Sequence, residues 1–195
     1  MRKLRGWLMV GALLCMGMTQ ADDEFRRLTD EGRRMSGKII DQIRGELMKE
    51  LERTGPLRAI IVCKYSAPEI TSALSRQHGM RITRVSLRPR NRATGEADAW
   101  EQQVLLEFEK RQTKGEKPET LEYAEIVQEP AGRFFRYMKA LTMQELCVAC
   151  HGTADKLNPG VKKQVAIDYP HDKAVGYQPG QIRGAVTIKR ALGEE

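Results

Sequence analysis

Cys147-Val-Ala-Cys150-His151 constrains this chain more than any other run in it. A Cys-x-x-Cys-His segment is the attachment signature of c-type haem. Each sulfur adds across one porphyrin vinyl group, and the adjacent histidine ligates the iron. In a helical segment positions i, i+3 and i+4 share one face, so two thioethers and an imidazole can meet the same macrocycle. Thr142-Met-Gln-Glu145 reads as a capping box that opens such a helix, with Thr142 as N-cap. A thiol redox pair would be expected near a βαβ pattern, and none precedes the motif. A structural zinc site needs four closed ligands, and the sequence offers no second Cys-x-x-Cys or His-x-His cluster. The motif therefore points to one haem c, covalently attached through Cys147 and Cys150 and ligated by His151.

The start of the chain agrees with that chemistry. Met1-Arg-Lys-Leu-Arg5 is a basic n-region, Trp7 through Met18 an apolar h-region, and Thr19-Gln20-Ala21 a cleavage site. Residues 1–21 are thus expected to be a signal peptide, with the mature chain beginning near Asp22. The apolar run is shorter than the roughly 20 residues of a membrane span. A soluble, periplasmic product that does not span the membrane is expected. Covalent haem attachment takes place outside the bacterial cytoplasm, so motif and signal point to one compartment. Without Arg2, Lys3 and Arg5 the balance is 30 basic to 26 acidic residues, which makes no case for nucleic acid. A chain of 195 residues, 41% hydrophobic, can bury one core.

Cysteine arithmetic supplies the next constraint. Of the four cysteines, Cys15 leaves with the signal, and Cys147 and Cys150 are spent on haem. Cys63 remains alone in an oxidising compartment, where an unpaired thiol is a liability. It closes the apolar run from Leu57, as a small buried hydrophobe would. The sharper alternative is the second axial ligand of the iron. Methionine is the usual partner of histidine in electron-carrying cytochromes c. Met35 and Met48 fall on a helical stripe and are expected in the core, while Met143 is too near His151 to reach the far haem face. His78 and His171 neighbour loop residues and are expected to be exposed. The residues alone leave the sixth position open between Cys63, Met80 and Met138.

Periodicity sketches the rest. Phe25, Leu28, Met35, Ile39, Ile43, Leu47 and Leu51 recur at three- and four-residue steps, predicting an amphipathic helix over 24–53 that stops at Thr54-Gly55-Pro56. Two shorter helices follow, around Cys63 and over 68–77, broken at Ser66-Ala67-Pro68 and closed by Gly79. Residues 80–88 alternate as a strand whose phase slips at Thr83-Arg84, which predicts a bulge. A polar loop over 90–97 leads to a helix over 98–112. Segments 121–127 and 133–141 then read as a hairpin across Glu129-Pro-Ala-Gly132. A Gly- and Pro-rich stretch follows the haem segment, and 185–189 supplies a last strand. The pattern is α+β, an antiparallel sheet with flanking helices and a long N-terminal helix over 22–54, not a helical bundle.

Several separated motifs then carry a resemblance. Gly55-Pro56 with Ala59-Ile60, Cys63 and Ala67-Pro68 forms the first. Arg84-Val-Ser-Leu-Arg88, Arg90-Asn91 and Trp100-Glu101 follow, then Leu146 through Gly152. Tyr169-Pro170, Asp172, Ala174, Gly176-Tyr177 and Gly180 through Gly184 complete the set. From about Gly55 to Arg190 the chain resembles the haem c proteins with a PAS-like fold found in bacteria and cyanobacteria. One departure is the loop after Asn91, where the family's Pro and Asn give way to Arg92-Ala-Thr94. The resemblance implies a PAS-like haem c domain over 55–195, with His151 as proximal and Cys63 as distal ligand. It also brings Arg88, Arg90 and Asn91 to the haem edge or its propionates, where the plain alternative is a solvated basic loop. A thiolate ligand favours ferric iron and lowers the potential. If it leaves on reduction, a site opens for NO, CO or O2. Two functions are expected: a redox or gas sensor acting on a signalling protein, or a low-potential periplasmic electron carrier with a redox partner. No enzyme is expected, since the sixth position is filled and no distal acid/base pair stands out. The long first helix offers a face for a homodimer.

Overall fold

The computed structural model describes the backbone of residues 5–193 and the side chains of residues 20–193. Met1 to Leu4 of the expected signal lie outside the described residues, as do the side chains of its apolar stretch and Cys15. Helix α1 (Arg5–Thr54) runs on through the expected cleavage point and ends where the Thr54-Gly55-Pro56 stop places it. Among the described residues no helix is long and apolar enough to cross a membrane.

Its stripe behaves as the periodicity predicts over most of its length. Leu28 and Ile39 are buried, and Phe25, Met35 and Ile43 pack against the same core. Met48 does not join them: it is 45% exposed. One residue past Leu47 it is turned about 100° around the helix, off the apolar face. Gly32 brings α1 onto the sheet, because a Cβ there would stand 2.8 Å from the Tyr137 ring.

Gly55 turns the chain into α2 (Pro56–Ile61), which continues through a π turn (Val62–Ser66) into α3 (Ala67–His78). The expected break at Ser66-Ala67-Pro68 is absent. Pro68 lacks an N–H and would clash with the carbonyl four residues back in a regular helix. Widening to i→i−5, with the Ala67 amide on the Val62 carbonyl, accommodates it without interrupting the helix. Cys63 sits in that widened turn.

Four strands form one antiparallel sheet in the order β1-β4-β3-β2: β1 (Arg81–Val85), β2 (Glu122–Glu129), β3 (Gly132–Thr142) and β4 (Ile182–Ala191). The predicted hairpin is β2–β3, joined at Glu129 and Gly132. No bulge occurs at Thr83-Arg84, since β1 pairs in unbroken register from Arg81–Lys189 to Val85–Ala185. The phase slip has another cause: Arg84 shares a face with Ile82 but points into a cavity. The irregularity in the sheet lies instead at Leu141/Thr142. Thr142 therefore ends a strand and caps nothing. The capping box belongs to α5 (Ala99–Thr113), where Asp98 accepts from the Glu101 amide and Glu101 accepts from that of Asp98, both at 2.8 Å.

The helices divide between the two faces. α1 and α3 cover one around Leu74, Tyr137 and Ile188; α5 covers the other around Val104, Phe108 and Met138. The polar loop after β1 contains one short helical turn, α4 (Arg92–Gly95), capped by Asn91. The haem-motif segment is a 3-10 turn (Glu145–Cys147) followed by a single turn α6 (Val148–His151). The Gly- and Pro-rich stretch beyond it holds an unexpected helix, α7 (Pro159–Asp168), with Asn158 as N-cap and Pro159 at its first position. The fold is α+β and PAS-like.

The α1–sheet contact carries a pH dependence. Glu122 on β2 accepts from Arg33 at 3.1 Å and from the Tyr137 hydroxyl at 2.9 Å. The Arg33 hydrogen bond holds its carboxyl below the ordinary 4.5 against the opposing effect of burial. Such a group stabilises the fold above its unfolded pKa, and that contribution fades as pH falls through the folded value. Glu122→Gln should therefore melt below wild type at neutral pH, with the gap narrowing as pH falls through the lowered folded pKa, as thermal unfolding on both sides of it would record.

Candidate functional site

A cavity of about 430 Å³ opens between the second half of α1, the α2–π turn, the ends of β1 and β4, and α6. Ile39, Ile43, Leu47 and Leu51 of α1 supply much of its apolar wall. Cys63, Cys147, Cys150 and His151 all line it, so three distant stretches of chain deliver the four expected site residues to one place. All three described cysteines are free and half-buried. Cys150 packs against Ile60, Val165 and Tyr169 beneath α2 and α7, and Cys147 against Met143, Ala174 and Tyr177.

His151 is oriented by the backbone. Its Nδ1 stands 2.7 Å from the Ala174 carbonyl oxygen. A carbonyl only accepts, so Nδ1 carries the proton and Nε2 is left with its lone pair, the form that ligates a metal. The same loop grips the motif again: Tyr177 N–H donates to the His151 carbonyl and Gly176 N–H to that of Gly152, each at 2.9 Å. The Tyr177 ring meets the imidazole edge-on at 6.5 Å. Gly152 is needed here, because a Cβ would stand 2.6 Å from the Val148 carbonyl. Burial, and after it the charges of Arg90 and Arg183, keep His151 neutral well below its ordinary pKa. Burial also raises the Cys147 thiol, and takes Cys150 to about 11 with the Cys63 charge adding to it.

Among the described residues no three His, Cys, Asp or Glu side chains converge as a bare ion would require. The donors are spread around a wide apolar space, which suits a large flat group reached by two thiols, an imidazole and a third sulfur. The sequence's competitors for the last position lie elsewhere. Met138 packs under α5 and Met80 against α3, both in the core. His171 is exposed, and His78, set aside as exposed, instead has a buried Nε2 without a partner, away from the cavity. Of the described methionines only Met143 lines the cavity, on the Cys147 side.

The basic loop is solvated at Arg88 and Asn91 but not at Arg90. Arg90 is 8% exposed in its side chain, as is Asp172, 3.0 Å away. Its Nη2 donates to the Cys150 carbonyl at 2.6 Å and to Ala174 at 3.3 Å. Arg90 thus braces the motif, and Asn91 caps α4 from the cavity wall. Arg88 lies outside the lining, donating to the Lys173 carbonyl at 3.1 Å and covering the Tyr177 ring. Three lining residues stand within the resemblance motifs without a role assigned there: Arg84, Arg183 and, as a wall residue, Tyr169. The slipped phase at Thr83-Arg84 was the available signal for the first. Removing one partner of a buried ion pair costs about 3–5 kcal/mol. Arg90→Leu should accordingly lower the melting temperature sharply, and the double variant Arg90→Leu/Asp172→Leu should recover part of the loss in a double-mutant cycle.

The fold and site can be set beside known proteins. A model of the Tll0287-like family matches residues 18–190. The crystal structure of the cyanobacterial heme-protein Tll0287 superposes with a TM-score of 0.59 at 18% identity, covering 81% of this chain and 93% of that one. No protein of curated function matches. With 18–190 spanned by the family model, the chain belongs to the Tll0287-like family.

Proposed function

We propose that the protein binds one haem c, attached through Cys147 and Cys150, with His151 and Cys63 as axial ligands. The observation that carries this reading is the convergence of all four residues on one apolar cavity, with His151 Nε2 freed by the Ala174 hydrogen bond. The motif itself and the heme-protein among the structural neighbours support it. Bound there, the group supplies a one-electron couple and, with a position vacated, a site for a diatomic gas. Cys63 as thiolate adds negative charge at the iron and biases it towards the ferric state.

The reading extends to a redox or gas sensor in the periplasm. Cys63 lies on a π turn, a helix form that accommodates local rearrangement at functional sites. That turn follows α2, which packs against α1, and α1 also lines the cavity. Release of Cys63 on reduction would be felt along α1, which in the mature chain runs from near Asp22 to Thr54, a route to a signalling partner or a second copy of the chain. The second reading, a low-potential electron carrier, requires Cys63 to stay bound in both states.

Two measurements on the protein expressed with haem-maturation machinery test these steps. The intact mass should equal the chain from near Asp22 plus one haem, and Cys147→Ala or Cys150→Ala should lose one thioether each. A mass without haem would end the proposal. The sensor reading expects CO to bind the ferrous form and displace Cys63. A ferrous spectrum indifferent to CO selects the carrier.

A further inference from the structure

Arg84 reaches from β1 into the cavity beside its strand partner Val186, in a wall otherwise rich in apolar side chains. The two other arginines at the motif end of the cavity are committed to the protein. Arg90 holds Asp172 and the Cys150 carbonyl, and Arg183 donates to Ser86 Oγ at 2.8 Å and to the Arg88 carbonyl at 3.2 Å. Among the described residues no carboxylate, carbonyl or hydroxyl accepts from Arg84, which lines the cavity with Cys63 and Tyr169. A half-buried guanidinium with five donors and no acceptor is costly unless an anion joins it.

The position says which anion. Arg84 lines the cavity together with Cys63 and His151. Arg90 is bound at the motif itself, through the Cys150 carbonyl. The thioether end thus has its own arginine, which leaves Arg84 for another stretch of the cavity wall. A haem carries its carboxylates on an edge away from its vinyl groups. We infer that Arg84 receives a haem propionate, as a guanidinium fork pairing with a carboxylate, and is the residue that sets the ring's rotation in the cavity. This rests on the haem reading above and transfers the propionate role expected of Arg88, Arg90 and Asn91 to a strand residue.

The test uses the holoprotein as wild type, Arg84→Leu and Arg84→Lys, with Arg92→Leu as control. Arg92 carries the same charge on an exposed turn, paired with Glu96. Arg84→Leu removes a cation near the iron, which favours the ferric form, so the midpoint potential should fall. The propionate bending bands of the resonance Raman spectrum should shift with it. Arg84→Lys should restore most of the potential, and Arg92→Leu should move neither readout. Should Arg84→Leu not accumulate with haem, Arg84→Gln carries the same comparison. A lowered potential with unmoved propionate bands would overturn the inference, making Arg84 a counter-charge to Cys63 only. Arg84 variants indistinguishable from Arg92→Leu would overturn it outright. Wild type without covalent haem is a different failure, that of the underlying reading.

Discussion

The hydrogen bond from His151 Nδ1 to the Ala174 carbonyl orders the site around it. It fixes the tautomer and aims Nε2, and it does so through backbone rather than through a titratable partner. Ala174 is itself held in place, since its carbonyl also accepts from Arg90 and its amide donates to Asp172 at 2.7 Å. The loop that follows returns two amides to the carbonyls of His151 and Gly152. A four-residue helix such as α6 has too few internal hydrogen bonds to stand alone. Its geometry is imposed by this loop and by Arg90 behind it, so the orientation of one imidazole depends on residues more than 20 positions away.

The other half of the site depends on α1. Glycine at position 32 lets this helix lie on Tyr137, and the stripe continuing through Ile39, Ile43 and Leu47 becomes the cavity wall. One apolar face thus serves both the sheet core and the site. The N-terminal helix is not an appendage to a sheet domain, since it forms part of the cavity wall. That shared face is what gives the sensing reading a mechanical route.

Much of this was legible in the chain. Cys147, Cys150 and His151 were marked by their own spacing, and the α1 stripe and the β2–β3 hairpin by periodicity, because those signals are local. The errors came where two local rules competed or where the partner lay far away. Thr142–Glu145 satisfied the capping-box pattern, yet Thr142 was claimed by pairing with Ile182. Ser66-Ala67-Pro68 looked like a helix break because a π turn has no sequence signature of its own. Arg84 looked like a bulge because an arginine at a core-facing strand position has no local explanation; only the cavity supplies one. α7 was hidden by Pro159 and Gly160, which read as loop residues although Asn158-Pro159 is also a helix start.

Thiolate ligation by Cys63 is the central claim about the chemistry, and an EPR spectrum of the ferric holoprotein tests it most directly. The account predicts a low-spin signal with the narrow g-spread of a thiolate ligand, lost in Cys63→Ala while His151 ligation remains. A broad histidine/methionine-type or high-spin signal in wild type, unchanged in Cys63→Ala, would contradict it and leave Cys63 as a wall residue of the cavity.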